Sequence, residues 1–432
     1  MGIAEDNEVL TRVGPGTPMG RLMREYWIPA ALSSELVADG PPLRLMLLGE
    51  KLIAFRDSAG RVGVMDHRCP HRCASLFYGR NEQGGLRCVY HGWKFDVAGK
   101  CLDMPNVPAH QNFADKVAAK AYRAVERNGL VYVYMGDRQP VPALPAVEAT
   151  LLPEAERNIE CVQRQCNWLQ GVEGELDTSH IGFLHFGTVA KEALAADDVQ
   201  RFALVNRSPD YLAKETEYGA IYAAHRPADD SRTYWRFGQF AFPFWTMPPI
   251  NVFADNLLTR AYVPMDDEHT MIIEVAWKNA YRAIRARNPV AGASSVWSQD
   301  YLPDTTDWLG RFRLAANRGN DHRIDRAVQR DRSFTGIDGV QLQDQAVQES
   351  MGGIVDRSWE HLAPSDMMIA RVRRLMLRAA RGLAEAGTLP PGAADPLCLA
   401  GVRGGHFLAH MATDWLTAYA EQRAVAPNLA AE

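Results

Sequence analysis

The feature that most constrains this sequence is a short stretch that combines two cysteines with two histidines. Cys69 and His71 lie in a C-P-H tripeptide, and Cys88 and His91 lie in a C-V-Y-H tetrapeptide that begins after sixteen intervening residues. Two thiolates and two imidazoles can bind a single zinc ion, because Cys₂His₂ is a common structural zinc set. The stretch therefore predicts a metal site, around which the local backbone must fold.

The grouping of these four ligands decides between metals. Zinc fingers usually pair cysteine with cysteine and histidine with histidine, whereas here each short segment supplies one of each. That alternation suits a two-iron cluster in which both cysteines bind one iron and both histidines bind the other, which is the Rieske [2Fe–2S] pattern. Such a cluster relays single electrons. Zinc is the less favoured alternative, since it accepts the same ligands.

Short β-rich runs surround the cysteine and histidine segments. The runs between residues 43 and 65 are separated by turn residues, and a further strand-like run covers residues 129–136. Residues 136–145 (GDRQPVPALP) contain three prolines, which favour an extended connector. A domain boundary near residue 140 follows. We predict two domains, residues 1–140 and residues 141–432.

A second group of metal-binding residue types lies at the start of the second predicted domain. Asp177 is followed three residues later by His180, and His185 follows after four more residues. We predict a helix over residues 166–180 that ends near Gly182 and returns His185 toward the other two side chains. Taken alone, such a pair of histidines is more often a surface pair or two buried histidines whose hydrogen bonds are satisfied. Beside an electron relay it favours the two-histidine, one-carboxylate ferrous site that activates O₂.

The remaining pattern predicts one large sheet and one long helix. Residues 200–280 contain aromatic and β-branched runs typical of an antiparallel sheet. Residues 366–387 space apolar side chains by three and four, which predicts a long helix. These apolar positions are Ile369, Val372, Met376, Ala379 and Leu383.

The order of these motifs resembles that of a known enzyme family. CPH…CVYHGW followed by NWLQGVEGELDTSHIGFLH is similar to the oxygenase component of the Rieske non-haem iron oxygenases, over nearly the whole chain. The opening LTRVGPGTPMGRLMREYWIPA and the late FTGIDGVQLQDQAVQES resemble the phthalate 4,5-dioxygenase group and the related dehydrodivanillate O-demethylases. The resemblance implies an α+β chain, with an antiparallel β Rieske domain followed by a helix-grip, START-like catalytic domain.

The resemblance also implies which residues hold each cofactor. Cys69, His71, Cys88 and His91 would hold the [2Fe–2S] cluster. The mononuclear Fe(II) would be held by His180, His185 and a late carboxylate. The family motif for that carboxylate matches Gln343-Asp344-x₄-Glu349, which selects Asp344. Asp356 is the fallback. A cap at the start of a short helix is the alternative role of Asp344.

In the same family, the residue that matches Asp177 bridges an iron ligand to a cluster histidine of the neighbouring subunit. The resemblance therefore implies subunits arranged head to tail, so that the electron crosses an interface. A heterologous interface that closes makes a ring. We expect a homotrimer or a hexamer of two stacked trimers.

The expected activity is that of a terminal oxygenase for an aromatic acid. No G-x-G-x-x-G motif follows a predicted strand, so we expect NAD(P)H oxidation in a separate reductase. Arg207 and Arg236 are candidates for binding a substrate carboxylate, although most arginines face water. Ring cis-dihydroxylation and O-demethylation are both compatible with the motifs. The competing interpretation is an electron-transfer protein whose second domain is a non-catalytic binding module.

Composition limits the partners and the compartment. The net charge is −5 over 432 residues, which gives no electrostatic footprint for nucleic acid or an anionic membrane. Seven cysteines are too few for a disulfide scaffold, and no stretch approaches the length of an apolar membrane span. We expect a cytoplasmic protein that binds neither nucleic acid nor membrane.

Overall fold

The structure is a computed structural model that describes residues 2–186, 198–278 and 299–426. Helices and antiparallel sheets are combined in these residues, which confirms the α+β class. Every helix in the described ranges is too short or too polar to cross a membrane. The α-helices are α1 (Ile3–Thr11), α2 (Pro18–Met23), α3 (Trp168–Leu176), α4 (Arg201–Val205), α5 (Arg326–Asp331), α6 (Val340–Ser350), α7 (Met367–Ala386) and α8 (Trp415–Val425).

Two antiparallel sheets are built before residue 135. Their strands are β1 (Trp27–Leu32), β2 (Leu43–Leu47), β3 (Glu50–Arg56), β4 (Val62–Asp66), β5 (Arg80–Glu82), β6 (Gly85–Arg87), β7 (Lys94–Phe95), β8 (Cys101–Asp103), β9 (Ala121–Arg127) and β10 (Leu130–Tyr134). The larger sheet has the order β1-β10-β9-β4-β3-β2, and the smaller has the order β5-β6-β7-β8. The smaller sheet lies between the two halves of the larger one in sequence. It includes the strands on either side of the second cysteine and histidine segment.

The third sheet has eight strands and confirms the antiparallel sheet predicted for residues 200–280. Its strands are β11 (Arg157–Arg164), β12 (Asp210–Glu215), β13 (Gly219–Pro227), β14 (Arg232–Ala241), β15 (Trp245–Met247), β16 (Leu258–Pro264), β17 (Thr270–Trp277) and β18 (Gly405–His410). The order is β11-β17-β16-β15-β14-β13-β12, and β18 pairs with β14. The C-terminal strand therefore returns to the middle of the sheet.

The two faces of the third sheet have different partners. On one face, α3 packs against β14, β15 and β16. The other face carries a separate apolar cluster that includes Phe237, Phe253 and Phe407, against which Trp415 and Tyr419 of α8 pack. Because successive side chains of a strand point to opposite faces, only every second residue of β13 and β14 faces α3.

The helix predicted over residues 166–180 is shorter than expected. It ends at Leu176, because Asp177 adopts extended backbone angles and its side chain accepts a hydrogen bond from the backbone N–H of Ser179. His180 lies in a separate 3₁₀ turn, His180–Gly182. The long helix predicted over residues 366–387 is confirmed as α7, and Gly387 ends it with a left-handed φ of 66°.

The two N-terminal helices contact a helix near the C-terminal end of the chain. Both α1 and α2 pack against α7, and Arg381 of α7 pairs with Asp6 of α1. The domain boundary near residue 140 stays a prediction. The described residues 2–23 nonetheless contact later parts of the chain: Arg12 pairs with Asp267, and Arg357 donates to Asn7.

Two glycines allow α3 to approach its neighbours closely. A Cβ atom on Gly171 would lie 2.4 Å from Cδ1 of Tyr262 on β16. A Cβ atom on Gly174 would lie 2.4 Å from Nε2 of Gln348 on α6. A side chain at position 171 would push α3 away from the Tyr262 ring, and one at position 174 would displace the Gln348 amide. Gly171 therefore sets the depth at which α3 lies on the sheet.

We predict that Gly171→Ala destabilises the protein, although alanine favours a helix by about 1 kcal/mol over glycine. The added methyl group collides with the Tyr262 ring, and overpacking of this kind costs roughly 1–3 kcal/mol. The matched control is Gly382→Ala in α7, where the nearest atom to the added Cβ is 3.8 Å away. Thermal unfolding should show a lower melting temperature for Gly171→Ala and an equal or higher one for Gly382→Ala. Equal stabilisation of both variants would contradict the close approach of α3.

Candidate active site

The two cysteine and histidine segments form loops with the same backbone hydrogen bonds. In the first loop, the N–H of Cys69 donates to the Ala74 carbonyl and the N–H of Cys73 donates to the Cys69 carbonyl. In the second loop, the N–H of Cys88 donates to the Trp93 carbonyl and the N–H of Gly92 donates to the Cys88 carbonyl. Cys73 and Gly92 occupy the same place in their loops, with φ of 60° and 78°. A Cβ atom on Gly92 would lie 2.5 Å from the Pro105 ring. Glycine is therefore required in the second loop.

The four predicted cluster ligands converge as two pairs. Cys69 and Cys88 are buried, and burial together with the Cys88 thiol raises the pKa of Cys69 to about 12. Thiols in that state bind metal only when a cation displaces their protons. The His71 and His91 rings are 4.4 Å apart. Nδ1 of His91 is buried without a hydrogen-bond partner in the described part of the chain, as expected of an atom that binds metal.

A second group of potential ligand atoms lies where the chain that follows α3 meets α6. Nε2 of His185 lies 3.4 Å from Oδ1 of Asp344, and Nε2 of His180 lies 3.7 Å from the same oxygen. The His180 and His185 rings are 5.0 Å apart. Within the described ranges, these three residues are the one group of three or more potential ligands whose atoms all lie within 4.8 Å. Two imidazoles and one carboxylate at this spacing fit ferrous iron.

The charges at this cluster favour the metal-binding form of Asp344. Burial would raise the pKa of Asp344, but the His185 and His180 imidazoles and the Arg164 guanidinium hold it well below its usual range. Burial would likewise lower the pKa of His180, but Asp177 and Asp344 raise it. The carboxylate is therefore ionised at neutral pH. A bound cation would take the place of the proton that His180 attracts.

Asp177 lies beside the group formed by His180, His185 and Asp344, and it contacts His180. Its Oδ2 atom is 3.4 Å from Nδ1 of His180, while Oδ1 accepts hydrogen bonds from the backbone N–H and the hydroxyl of Ser179. Burial would raise the pKa of Asp177, but the contacts with His180 and Ser179 lower it. The side chain keeps about a quarter of its surface exposed, 23%. It can therefore contact both His180 and a group outside this chain.

The two candidates for the third ligand lie in different surroundings. Asp344 is within α6, after the helix start at Val340, so it is not the N-terminal cap. Asp356 is exposed and accepts hydrogen bonds from the backbone N–H and the hydroxyl of Ser358 at the start of a 3₁₀ turn. The structure therefore brings Asp344, and not Asp356, to the two histidines.

The two arginines proposed for substrate binding also differ. Arg236 is buried, and its Nε donates to the Thr178 hydroxyl at 2.8 Å, directly beside Asp177. The Arg207 guanidinium lies 5.1 Å from the Phe183 ring centroid and 4.5 Å from that of Phe186. Both arginines thus lie near the residues around His180 and His185, one inside the protein and one packed over aromatic rings.

Sequence reasoning missed two residues at this site. Arg226 is buried, and its Nε donates to the Asn206 carbonyl at 2.6 Å. Gln343 is fully buried and contacts His185. Arg226 belongs to no ligand spacing. Gln343 stands in the motif that selected Asp344, but sequence reasoning assigned it no role of its own.

Two protein families match this chain, each over a different part of it. The Rieske [2Fe-2S] domain family matches residues 26–120. A family described as LigXa C-terminal domain like matches residues 133–429, which is more than half of the chain. Both metal-binding regions thus fall within recognised family regions.

Curated relatives match over most of their length. A 3-chlorobenzoate-3,4-dioxygenase oxygenase subunit from Comamonas testosteroni is 49% identical over 98% of this chain and 99% of its own. A phthalate 4,5-dioxygenase oxygenase subunit from Pseudomonas putida is 37% identical over 87% of this chain and 85% of its own. A 5,5'-dehydrodivanillate O-demethylase oxygenase subunit from a Sphingobium strain is 32% identical over 87% and 80%.

The fold is also found among solved structures. Dicamba monooxygenase bound to dicamba has a TM-score of 0.56 and 18% identity, covering 84% of this chain and 98% of its own. At this identity the likeness concerns the fold alone.

We predict that Asp344→Ala lowers the iron content from about three to about two atoms per chain and leaves the cluster spectrum unchanged. The carboxylate balances the charge of the metal at His180 and His185, while the cluster is held by separate side chains. Asp356→Ala is the control, because it removes a cap worth about 0.5–2 kcal/mol without touching the histidines. Metal analysis beside thermal unfolding checks both variants. Full iron content in Asp344→Ala would remove Asp344 from the ligand set.

Proposed function

This chain belongs to the Rieske non-haem iron oxygenases, and from that membership we propose that it oxidises an aromatic carboxylate. It is an oxygenase subunit that uses a Rieske [2Fe–2S] cluster and a mononuclear iron. Its relatives are oxygenase subunits over nearly the same length, which speaks against an electron carrier with a non-catalytic second domain. Like them, it depends on a separate reductase.

The observation that carries the proposal is the convergence of His180, His185 and Asp344 near the buried side chain of Arg236. In our proposal these three residues would hold the iron, which when bound would supply the activation of O₂. Cys69 and Cys88 would hold one iron of the cluster, and His71 and His91 would hold the other. The buried, unpartnered Nδ1 of His91 supports this assignment.

Asp177 is proposed to link the two metal sites between subunits. It contacts His180 on one side and keeps part of its surface exposed. His71 and His91 are also partly exposed, so they can meet Asp177 of another copy. Such a contact is heterologous, and its closure gives the homotrimer or the hexamer of stacked trimers that we expect.

Two buried arginines support an anionic substrate. Arg226 on β13 and Arg236 on β14 lie on the same face of the sheet. The residue opposite Arg236 on the neighbouring strand is Ala224, and Ala224 shares a face with Arg226, two residues further along β13. Their exposed fractions are 2% and 5%. Within the described residues neither forms an ion pair with a carboxylate. Burial, and then the like charge of Arg236, lowers the pKa of Arg226 to about 10.

Two buried guanidinium groups are costly without a counter-ion. Nη1 of Arg226 is buried without a partner, and Nη1 of Arg236 reaches only the Tyr234 hydroxyl, at 3.2 Å. A substrate carboxylate would supply the missing negative charge. In our proposal Arg236 binds it, Thr178 orients Arg236, and Arg207 contributes from its position over Phe183 and Phe186.

The relatives indicate the reaction and its setting. The 49% identity to a 3-chlorobenzoate-3,4-dioxygenase subunit favours cis-dihydroxylation of a substituted benzoate. The 32% identity to an O-demethylase subunit supports demethylation of a methoxybenzoate as the second candidate. None of the seven cysteines forms a disulfide, which supports the reducing cytoplasm as the compartment. We propose an NAD(P)H-dependent reductase as the electron donor.

We predict that turnover with a generic reductase requires the carboxylate of the substrate. Chlorobenzoates, phthalate and methoxybenzoates are compared with their neutral carboxamides, and dihydrodiol and formaldehyde are measured separately. Arg236→Gln should raise KM for the acids by about 10- to 100-fold, because a hydrogen bond to a charged group contributes roughly 1.5–3 kcal/mol. The amides should be affected little. Equal oxidation of acids and amides by the wild type would refute the proposed substrate class.

A further inference from the structure

We propose that Gln343 is a positioning residue that fixes the tautomer and the orientation of His185 before any metal binds. Gln343 immediately precedes Asp344 on α6 and is fully buried. The inference deepens the proposed function, because it rests on the assignment of His185 as an iron ligand. It adds a residue that touches neither iron nor substrate.

The orientation of the Gln343 amide follows from its neighbours. Its Nε2 lies 2.7 Å from the backbone carbonyl oxygen of Ile337. A carbonyl oxygen can only accept a hydrogen bond, so the amide nitrogen and not the amide oxygen must face it. The amide oxygen, Oε1, is therefore the atom that faces His185.

The tautomer of His185 follows from that orientation. Oε1 of Gln343 lies 2.7 Å from Nδ1 of His185 and can only accept a hydrogen bond. Nδ1 must therefore carry a proton. A neutral imidazole has one N–H, so Nε2 keeps its lone pair. Nε2 is also the atom that lies 3.4 Å from Asp344, on the side of the proposed metal.

The Ile337 carbonyl that fixes the amide is held by a loop attached to the histidine segment. The N–H of Phe334, at the start of this loop, donates to the carbonyl oxygen of Phe186, the residue after His185. The N–H of Ile337 donates to the Thr335 hydroxyl. The hydrogen bonds thus run from the histidine segment through the loop to Gln343 and back to His185.

The two iron-binding histidines consequently have different supports. Nδ1 of His180 faces the partly exposed carboxylate of Asp177 at 3.4 Å, whereas Nδ1 of His185 faces a buried neutral amide at the shorter distance of 2.7 Å. A neutral partner fixes direction without adding negative charge beside Asp344. Loss of a partner of this kind typically lowers metal affinity by about 10- to 100-fold.

The test compares substitutions that remove or keep the acceptor. Gln343→Met keeps the length of the side chain and removes the acceptor, while Gln343→Glu keeps an oxygen that accepts from Nδ1. Gln341→Met is the matched control, because Gln341 is a buried glutamine of the same helix whose amide faces Glu274. Each protein, with its cluster intact and its mononuclear iron removed, is titrated with cobalt(II). Visible absorption gives the affinity and the ligand-field spectrum.

We expect Gln343→Met to weaken cobalt binding by about 10- to 100-fold and to shift the ligand-field bands. Gln343→Glu should lose less affinity than Gln343→Met, because it keeps the acceptor for Nδ1 of His185 and loses only the donor to the Ile337 carbonyl. Gln341→Met should retain both the affinity and the spectrum. Unchanged affinity and spectrum in Gln343→Met would overturn the inference, as would an equal loss in Gln343→Glu, which would assign Gln343 a merely structural role. His185→Ala distinguishes failure of the ligand assignment from failure of the inference about Gln343. If this variant also binds cobalt normally, the proposed ligand set fails rather than the role of Gln343.

Discussion

The close packing of α3 against α6 is the contact on which the rest of the active site depends. The two helices are far apart in sequence, and each brings part of the proposed iron site: His180 and His185 follow α3, and Asp344 lies within α6. Gly174 permits the approach because a side chain there would collide with Gln348. The Gln170 amide of α3 then donates to the backbone carbonyls of Gln348 and Gly352. Widening this contact would separate the histidines from their carboxylate.

The placement of buried charge distinguishes the framework from the site. Arg260 is buried between Glu175 and Glu274, and Arg403 is buried against Glu148, so these arginines are neutralised by the protein itself. Arg226 and Arg236 are buried at a similar depth but have no such carboxylate among the described residues. Buried cations without a paired anion are unfavourable in a framework. They are useful where a ligand brings the missing charge, as we propose for Arg226 and Arg236.

Sequence reasoning succeeded where the information was local. The spacing of Cys69 and His71 with Cys88 and His91 lies within single loops, and the apolar period of α7 lies within one helix. The end of α3 was predicted too late in the chain. Helix propensity does not reveal that the Asp177 side chain accepts a hydrogen bond from the Ser179 backbone, which ends the helix. Asp344 came from a resemblance to a family motif. Gln343 and Arg226 were missed, because their partners are set by tertiary packing that no short pattern records.

A single turnover in the absence of any reductase tests the central claim most directly. The protein is reduced chemically, freed of excess reductant, and mixed with O₂ and its preferred aromatic acid. Our account predicts that the cluster is reoxidised together with the formation of oxygenated product in the wild type, and that Asp344→Ala forms none. Reoxidation of the cluster without any product, in wild-type protein that contains both metals, would contradict the account.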